Sequence, residues 1–213
     1  MRRGWTLGLC AAAGLVVVGG AVTTVATAHG DDGGGGRSVS VPAAASADAG
    51  FAQDMTVHHQ QAVEMSFIVR DRTKDEEIRR LAYDIAQTQA NQRGMLLGWL
   101  DLWELPKTAD RPPMTWMGMR SMPPGEDGAL MPGMATDAEL GTLRTSNGRK
   151  AEILYLQLMI EHHKGGVHMA SGCASQCSTG AEKRLARSMV TSQQSEISLM
   201  EDLLRKRGAA PRP

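Results

Sequence analysis

MTVHHQQAVEM, residues 55 to 65, decides the reading of this chain, because MIEHHKGGVHM, residues 159 to 169, repeats it later at a constant offset without a gap. The match runs beyond the motif: Leu81-Ala82 falls on Leu185-Ala186, Gln89 on Gln193, Gln92 on Glu196 and Leu100 on Leu204. An ungapped internal match of this length marks one supersecondary unit used twice. Each unit reads as a helical hairpin, with the His-His segment on the first helix and the Leu-Ala…Gln segment on the second. The breaks fall at Arg72 to Asp75 and at Ser178 to Gly180.

The residues around the repeats support helix and nothing else. The 213-residue chain holds only two Phe and two Tyr, and Ala, Leu, Met, Gln, Glu and Arg dominate, so the fold class expected is all-α. Thr136-Asp137-Ala138-Glu139 has the form of a capping box that opens a short helix before the second half, and Asn147-Gly148 interrupts it ahead of the second His-His helix. Residues 106–135 carry Met114, Met117, Met119, Met122, Met131 and Met134 among six Pro, which reads as a loop crossing over between hairpins rather than as a core element.

The first 28 residues, with Arg2-Arg3, an apolar run from Trp5 to Val25 and Ala26-Thr27-Ala28, read as an export signal or an N-terminal membrane anchor. Residues 29–47, rich in Gly, Ala and Ser, read as a flexible linker. The bundle is expected over 48–206, with repeats at 48–104 and 136–206 and the Met/Pro-rich crossover at 105–135. The protein is therefore expected outside the cytoplasm, secreted or held at the cell envelope. Lys+Arg and Asp+Glu both total 23, which argues against a nucleic-acid partner.

At 100° per residue, Phe51, Met55, His58, Ala62, Met65 and Val69 project within about 40° of one direction, a core-facing stripe that contains a histidine. Tyr155, Met159, His162, Gly166, Met169 and Cys173 form the equivalent stripe, while His59 and His163 lie on its flank. The second helices carry Gln89 and Gln92, matched by Gln193 and Glu196, on faces that should be dry. Buried polar groups need partners, and a metal ion or a hydrogen-bond network must supply them. A single histidine on an apolar face is ordinarily a hydrogen-bonded core residue; the duplication favours a site. Imidazole with thioether selects a soft ion, so Met55, His58, Met65, Met159, His162 and Met169 point to copper, with Cu(I) favoured. Zinc would call for a third histidine or thiolates in each cluster, and His168 supplies one only in the second half.

Cys173 and Cys177 admit two readings, a local disulfide or a thiolate extension of the second stripe. Asp54, Glu64, Glu161 and Glu196 are the acidic residues nearest the stripes, and they lack the Glu-x-x-His pattern of di-iron bundles, so no enzyme is expected. The competing readings are a helical interaction module that docks a partner through the Met-rich crossover, and a metal-dependent oxidase.

The two His-His segments, each followed by Leu-Ala and a Gln-containing helix, resemble the Domain of Unknown Function 305 family over about residues 50–206. The resemblance implies a ferritin-like four-helix bundle and an association with copper in some exported members. Carried over to matching positions, it implies Met55, His58, His59, Met65, Met159, His162, His163 and Met169 as site residues, and Glu196 within Gln193-Gln194-Ser195-Glu196-Ile197. The first half departs from this pattern at Gln92, and Gly165-Gly166 puts two helix-weakening residues in the second.

Overall fold

The computed structural model describes residues 41–119 and 126–213, and among these it contains helices and no strands. The export-signal reading and most of the linker lie outside the described residues. Among the described residues no helix is long and apolar enough to cross a membrane.

Helix α1 spans Ala47–Arg72, and α2 spans Glu76–Leu102. Ser46 starts α1 by accepting the Ala49 amide, and Asp75 starts α2 by accepting the Ile78 amide at 3.0 Å. The short α3, Asp137–Thr145, opens on a complete capping box in which Thr136 and Glu139 exchange side-chain-to-backbone bonds. Helices α4, Gly148–Gln176, and α5, Gly180–Lys206, form the second hairpin. Neither Asn147 nor Thr179 caps its own helix. For α5 the cap comes from the other hairpin: the Asp48 carboxylate accepts the Thr179 amide at 2.7 Å and the Ser178 amide at 2.9 Å. At the opposite end, buried Arg207 donates to Glu152 and pairs with Asp75, both at 2.8 Å.

Backbones pack closely within each hairpin and, between hairpins, chiefly along α1 and α4. The four long helices are therefore not four equivalent bundle edges. Helices α2 and α5 meet their opposite hairpin through side chains, as in the Lys206–Glu77 ion pair.

The apolar interior comes in two parts. One gathers Ala62, Met65 and Val69 of α1 with Ile78, Leu81 and Ile85 of α2, Tyr155 to Ile160 of α4, and Met200, Leu203 and Leu204 of α5. The other gathers Phe51 and Met55, Leu96 and Leu100, Met169 and Cys173, and Ala186 and Met189. Along every long helix the two sets are separated by polar residues: His58-His59, Gln89 to Gln92, His162-His163, and Gln193 to Glu196. The chain order of the sets also gives the directions, with α1 antiparallel to both α2 and α4. A polar layer thus crosses the middle of the core.

The described part of the crossover is a loop with single 3-10 turns at Thr115–Met117 and Glu126–Gly128, but the expectation that it is no core element is corrected. Met114, Trp116 and Met131 are buried in the second apolar cluster, with Met117, Met119 and Met134 packed against it. Buried polar residues of α1 hold the segment down. Asp54 accepts the Met114 amide at 2.7 Å and the Trp116 indole N–H at 2.8 Å, and Gln61 exchanges two bonds with the Ala135 backbone. Gly50 leaves the room on α1 that the Trp116 ring fills. Pro and Gly keep anything longer than a 3-10 turn out of the described segment, but side-chain bonds satisfy its irregular backbone and so allow it into the core.

Candidate metal centre

His58 and His162 meet where α1 and α4 cross. Their ring centroids are 3.7 Å apart with planes tilted by 33°, and the His162 Nε2–H donates to the His58 carbonyl at 3.0 Å. Both are fully buried, as are His59 and His163. His59 and His163, expected on the flank, are each tied to the second helix of their own hairpin: His59 Nε2 to Gln92 Oε1 at 2.8 Å, and His163 Nε2 to Glu196 Oε2 at 2.7 Å. The two bonds join equivalent positions of the repeat.

These bonds set the chemistry of the rings. An Nε2 that donates a proton leaves Nδ1 with a lone pair. The Nδ1 atoms of His58, His59, His162 and His163 are all buried without a hydrogen-bond partner, as is His58 Nε2. The Gln89 and Gln193 side-chain amides are likewise buried and unpartnered. Each such atom costs about 1–3 kcal/mol if left unsatisfied, so this layer costs stability that an apolar filling would not.

Burial, followed by the neighbouring imidazoles His59 and His163, pushes His58 down to about 3. Burial likewise takes His59 to about 3, against a raising effect of its Gln92 bond. Burial, then the charges of His58, His163 and His59, holds His162 well below the ordinary histidine value. These three rings are neutral at physiological pH, the form that binds metal without first losing a proton.

The crossover passes over this layer. A side chain at Gly165 would collide with the Pro132 carbonyl and come within 3.3 Å of His58 Nε2, and Gly133 is pressed in the same way against the Glu161 backbone. Gly166 leaves the space occupied by the Gln193 carboxamide oxygen. Helix α4 runs unbroken through both of these helix-weakening residues, and close approach is what their absent Cβ atoms provide.

The four stripe methionines are fully buried and divide into two pairs. Met55 and Met169 lie in the cluster that also holds Met114, Met131 and Met189, while Met65 and Met159 lie among Leu, Ile and Val on the other side of the polar layer. Glu196 stands behind His163 as its hydrogen-bond acceptor. Among the described residues, no three of the histidines and acids bring their donor atoms together as a ready cage, so a ligand set here would need the sulfurs or a rotation of the rings. The other acidic candidates turn elsewhere: Asp54 to the crossover, Glu64 to Arg144 and Glu161 to Lys164. His168 is exposed.

Cys173 and Cys177 form a disulfide, which excludes the thiolate reading for the oxidised protein. Beside it lies Glu182, which sequence reasoning missed. It is fully buried; burial, then the Asp48 carboxylate, raises it to about 9. Its place in the first turn of α5 looks like ordinary helix-start chemistry, and only the approach of Asp48 from the other hairpin reveals its burial.

Comparison with known proteins agrees with this architecture. A DUF305 protein from Streptomyces coelicolor, described as secreted, is 68% identical, with a TM-score of 0.75, over 80% of this chain and 99% of that one. A DUF305 fragment from Deinococcus radiodurans is 30% identical, with a TM-score of 0.62, over 75% of this chain and 96% of that one. CopM, solved in a Cu(I)-bound form, is 22% identical, with a TM-score of 0.58, over 75% of this chain and 96% of that one, a likeness of fold. No curated protein matches the chain. The sequence matches the domain of unknown function DUF305 over residues 48–204, and the chain belongs to that family.

Proposed function

We propose that this protein binds copper outside the cytoplasm and holds it, as a buffer or resistance protein, without turning over a substrate. The observation that carries the reading is the layer of four buried imidazoles whose Nδ1 atoms lack partners, two of them oriented through Nε2 by Gln92 and Glu196. Orientation of a ligand histidine through its second nitrogen is a general feature of metal sites. In this reading His58 and His162 are the first imidazole ligands, His59 and His163 the next, and the thioethers come as two pairs, Met55 with Met169 on one side of the layer and Met65 with Met159 on the other. Glu196 positions His163. Neutral imidazole with thioether favours Cu(I).

CopM has been solved in Cu(I)-bound, Cu(II)-bound and Ag-bound forms, which supports copper as the ion for this fold. The Streptomyces relative, described as a secreted protein, supports export, as does the signal-like N-terminal sequence. The docking reading loses ground because Met114 and Met131 are buried rather than displayed.

The test is a Cu(I) titration of the mature protein against a chromophoric chelator, beside a His58→Ala, His162→Ala double variant. Binding that is lost in the double variant is expected. Equal binding by both proteins would move the site away from the α1–α4 crossing, and no binding by either would remove copper.

A further inference from the structure

At the end of the molecule where α4 stops, the donor atoms of Cys173, Cys177 and Glu182 all lie within 4.8 Å of one another, and all three residues are buried. Cys173 occupies the last turns of α4, and Cys177 is its extended C-terminal cap, so the two sulfurs straddle a helix end. Glu182 projects from the first turn of α5. Both of its oxygens are buried without a hydrogen-bond donor, and the neighbouring polar group is the carboxylate of Asp48, already engaged by Ser178 and Thr179. The carboxyl therefore sits beside sulfur in an apolar cluster, with the Asp48 carboxylate as its polar neighbour.

We propose that reduction of the Cys173–Cys177 disulfide by a dithiol creates a second metal site, in which the two thiolates and the Glu182 carboxyl oxygen bind a borderline divalent ion, zinc. The exchange is balanced: the dithiol passes two electrons and two protons to the Cys173–Cys177 bond and is itself left as a disulfide. Zinc then displaces the two thiol protons and the Glu182 proton, and all three pass to solvent. Two thiolates and a carboxylate offset the charge of a divalent ion in a buried site, and a mixed sulfur and oxygen set suits zinc better than Cu(I). Zinc–sulfur bonds of about 2.3 Å place two sulfurs of a tetrahedron roughly 3.8 Å apart, a separation that side-chain rotation across this helix end supplies. Three protein donors leave one coordination position open. The resting disulfide keeps the site shut, so zinc binding here reports the redox state of the protein's surroundings.

The site is separate from the histidine layer, and its test is independent of the copper reading. The mature protein is reduced with a dithiol, freed of reductant without oxygen, and titrated with zinc alone against a chromophoric chelator, beside the oxidised protein. One additional zinc equivalent is expected on reduction, with a thiolate charge-transfer absorption when cobalt(II) replaces zinc. A Cys173→Ser, Cys177→Ser protein loses that equivalent, and Glu182→Gln, which keeps both sulfurs, binds it about tenfold or more weakly. His58→Ala, His162→Ala retains it. No gain on reduction, a gain kept by the double serine protein, or unchanged affinity in Glu182→Gln would each overturn the proposal. So would a reduced protein whose helical circular dichroism is lost and not restored by zinc.

Discussion

His58 and His162 occupy equivalent positions in the two repeats, and their rings lie 3.7 Å apart where α1 crosses α4, with His162 bonded to the His58 carbonyl. The duplicated motif therefore comes together at one place, the crossing of α1 and α4. Removing one ring should act on stability and on metal together.

For the metal-free protein, His162→Ala is expected to cost about 2–4 kcal/mol in urea unfolding, from the cavity and the lost bond to the His58 carbonyl. Adding Cu(I) at about a hundred times its Kd should stabilise the wild type by roughly 2.7 kcal/mol and the variant by much less. A variant stabilised as strongly as the wild type would count against His162 as a ligand.

Glu196 and Gln92 do the same work with different groups, a carboxylate behind His163 and an amide behind His59. Replacing Glu196 with Ala is expected to weaken Cu(I) binding about 10- to 100-fold, as loss of an orienting partner does at other metal sites. Glu196→Gln, which keeps the acceptor, should fall between the two. Chelator competition on the three proteins reads the order directly.

Glycines on the described helices divide by what a Cβ would meet. Gly165→Ala drives a methyl group into the Pro132 carbonyl beside His58 and is expected to destabilise by about 1–3 kcal/mol. Gly94→Ala and Gly98→Ala meet nothing within 4 Å on α2 and should each stabilise by up to about 1 kcal/mol. Thermal melts of the three variants should move in these opposite directions.

The carboxyl of Glu182 is held at about 9 in the folded, disulfide-bonded protein against a usual value near 4.5, because burial and Asp48 oppose its charge. A raised folded value means that the unfolded state loses its proton first. Stability is therefore complete below about pH 4.5 and falls as pH rises towards 9. Glu182→Gln removes this titration, so in metal-free, oxidised protein its melting temperature should exceed the wild type's increasingly between pH 5 and pH 9, with no such trend below pH 4.5. A difference independent of pH would refute the assignment.

Much of this architecture was legible before any coordinates. Composition and the 3.6-residue period gave all-α structure, and the ungapped repeat exposed two hairpins and paired Gln92 with Glu196. These features are local or periodic, and they are written into the chain because a helix repeats its surface every few residues. Helix spacing also marked His58 and His162 as inward-facing, since only the angle around one axis is needed for that.

The contacts between elements could not be read in the same way. That His58 meets His162, that Pro132 reaches Gly165, that Asp48 caps α5 and that Glu182 is buried beside a disulfide all depend on how the hairpins and the crossover lie against one another. The crossover was the largest loss, because its Pro and Gly hid a packed segment whose anchors, Asp54 and Gln61, sit far away on α1. The sequence by itself determined which helix faces are buried and that polar groups lie on them; only the tertiary structure decided which of those groups meet, because long-range pairing has no period in the chain to reveal it.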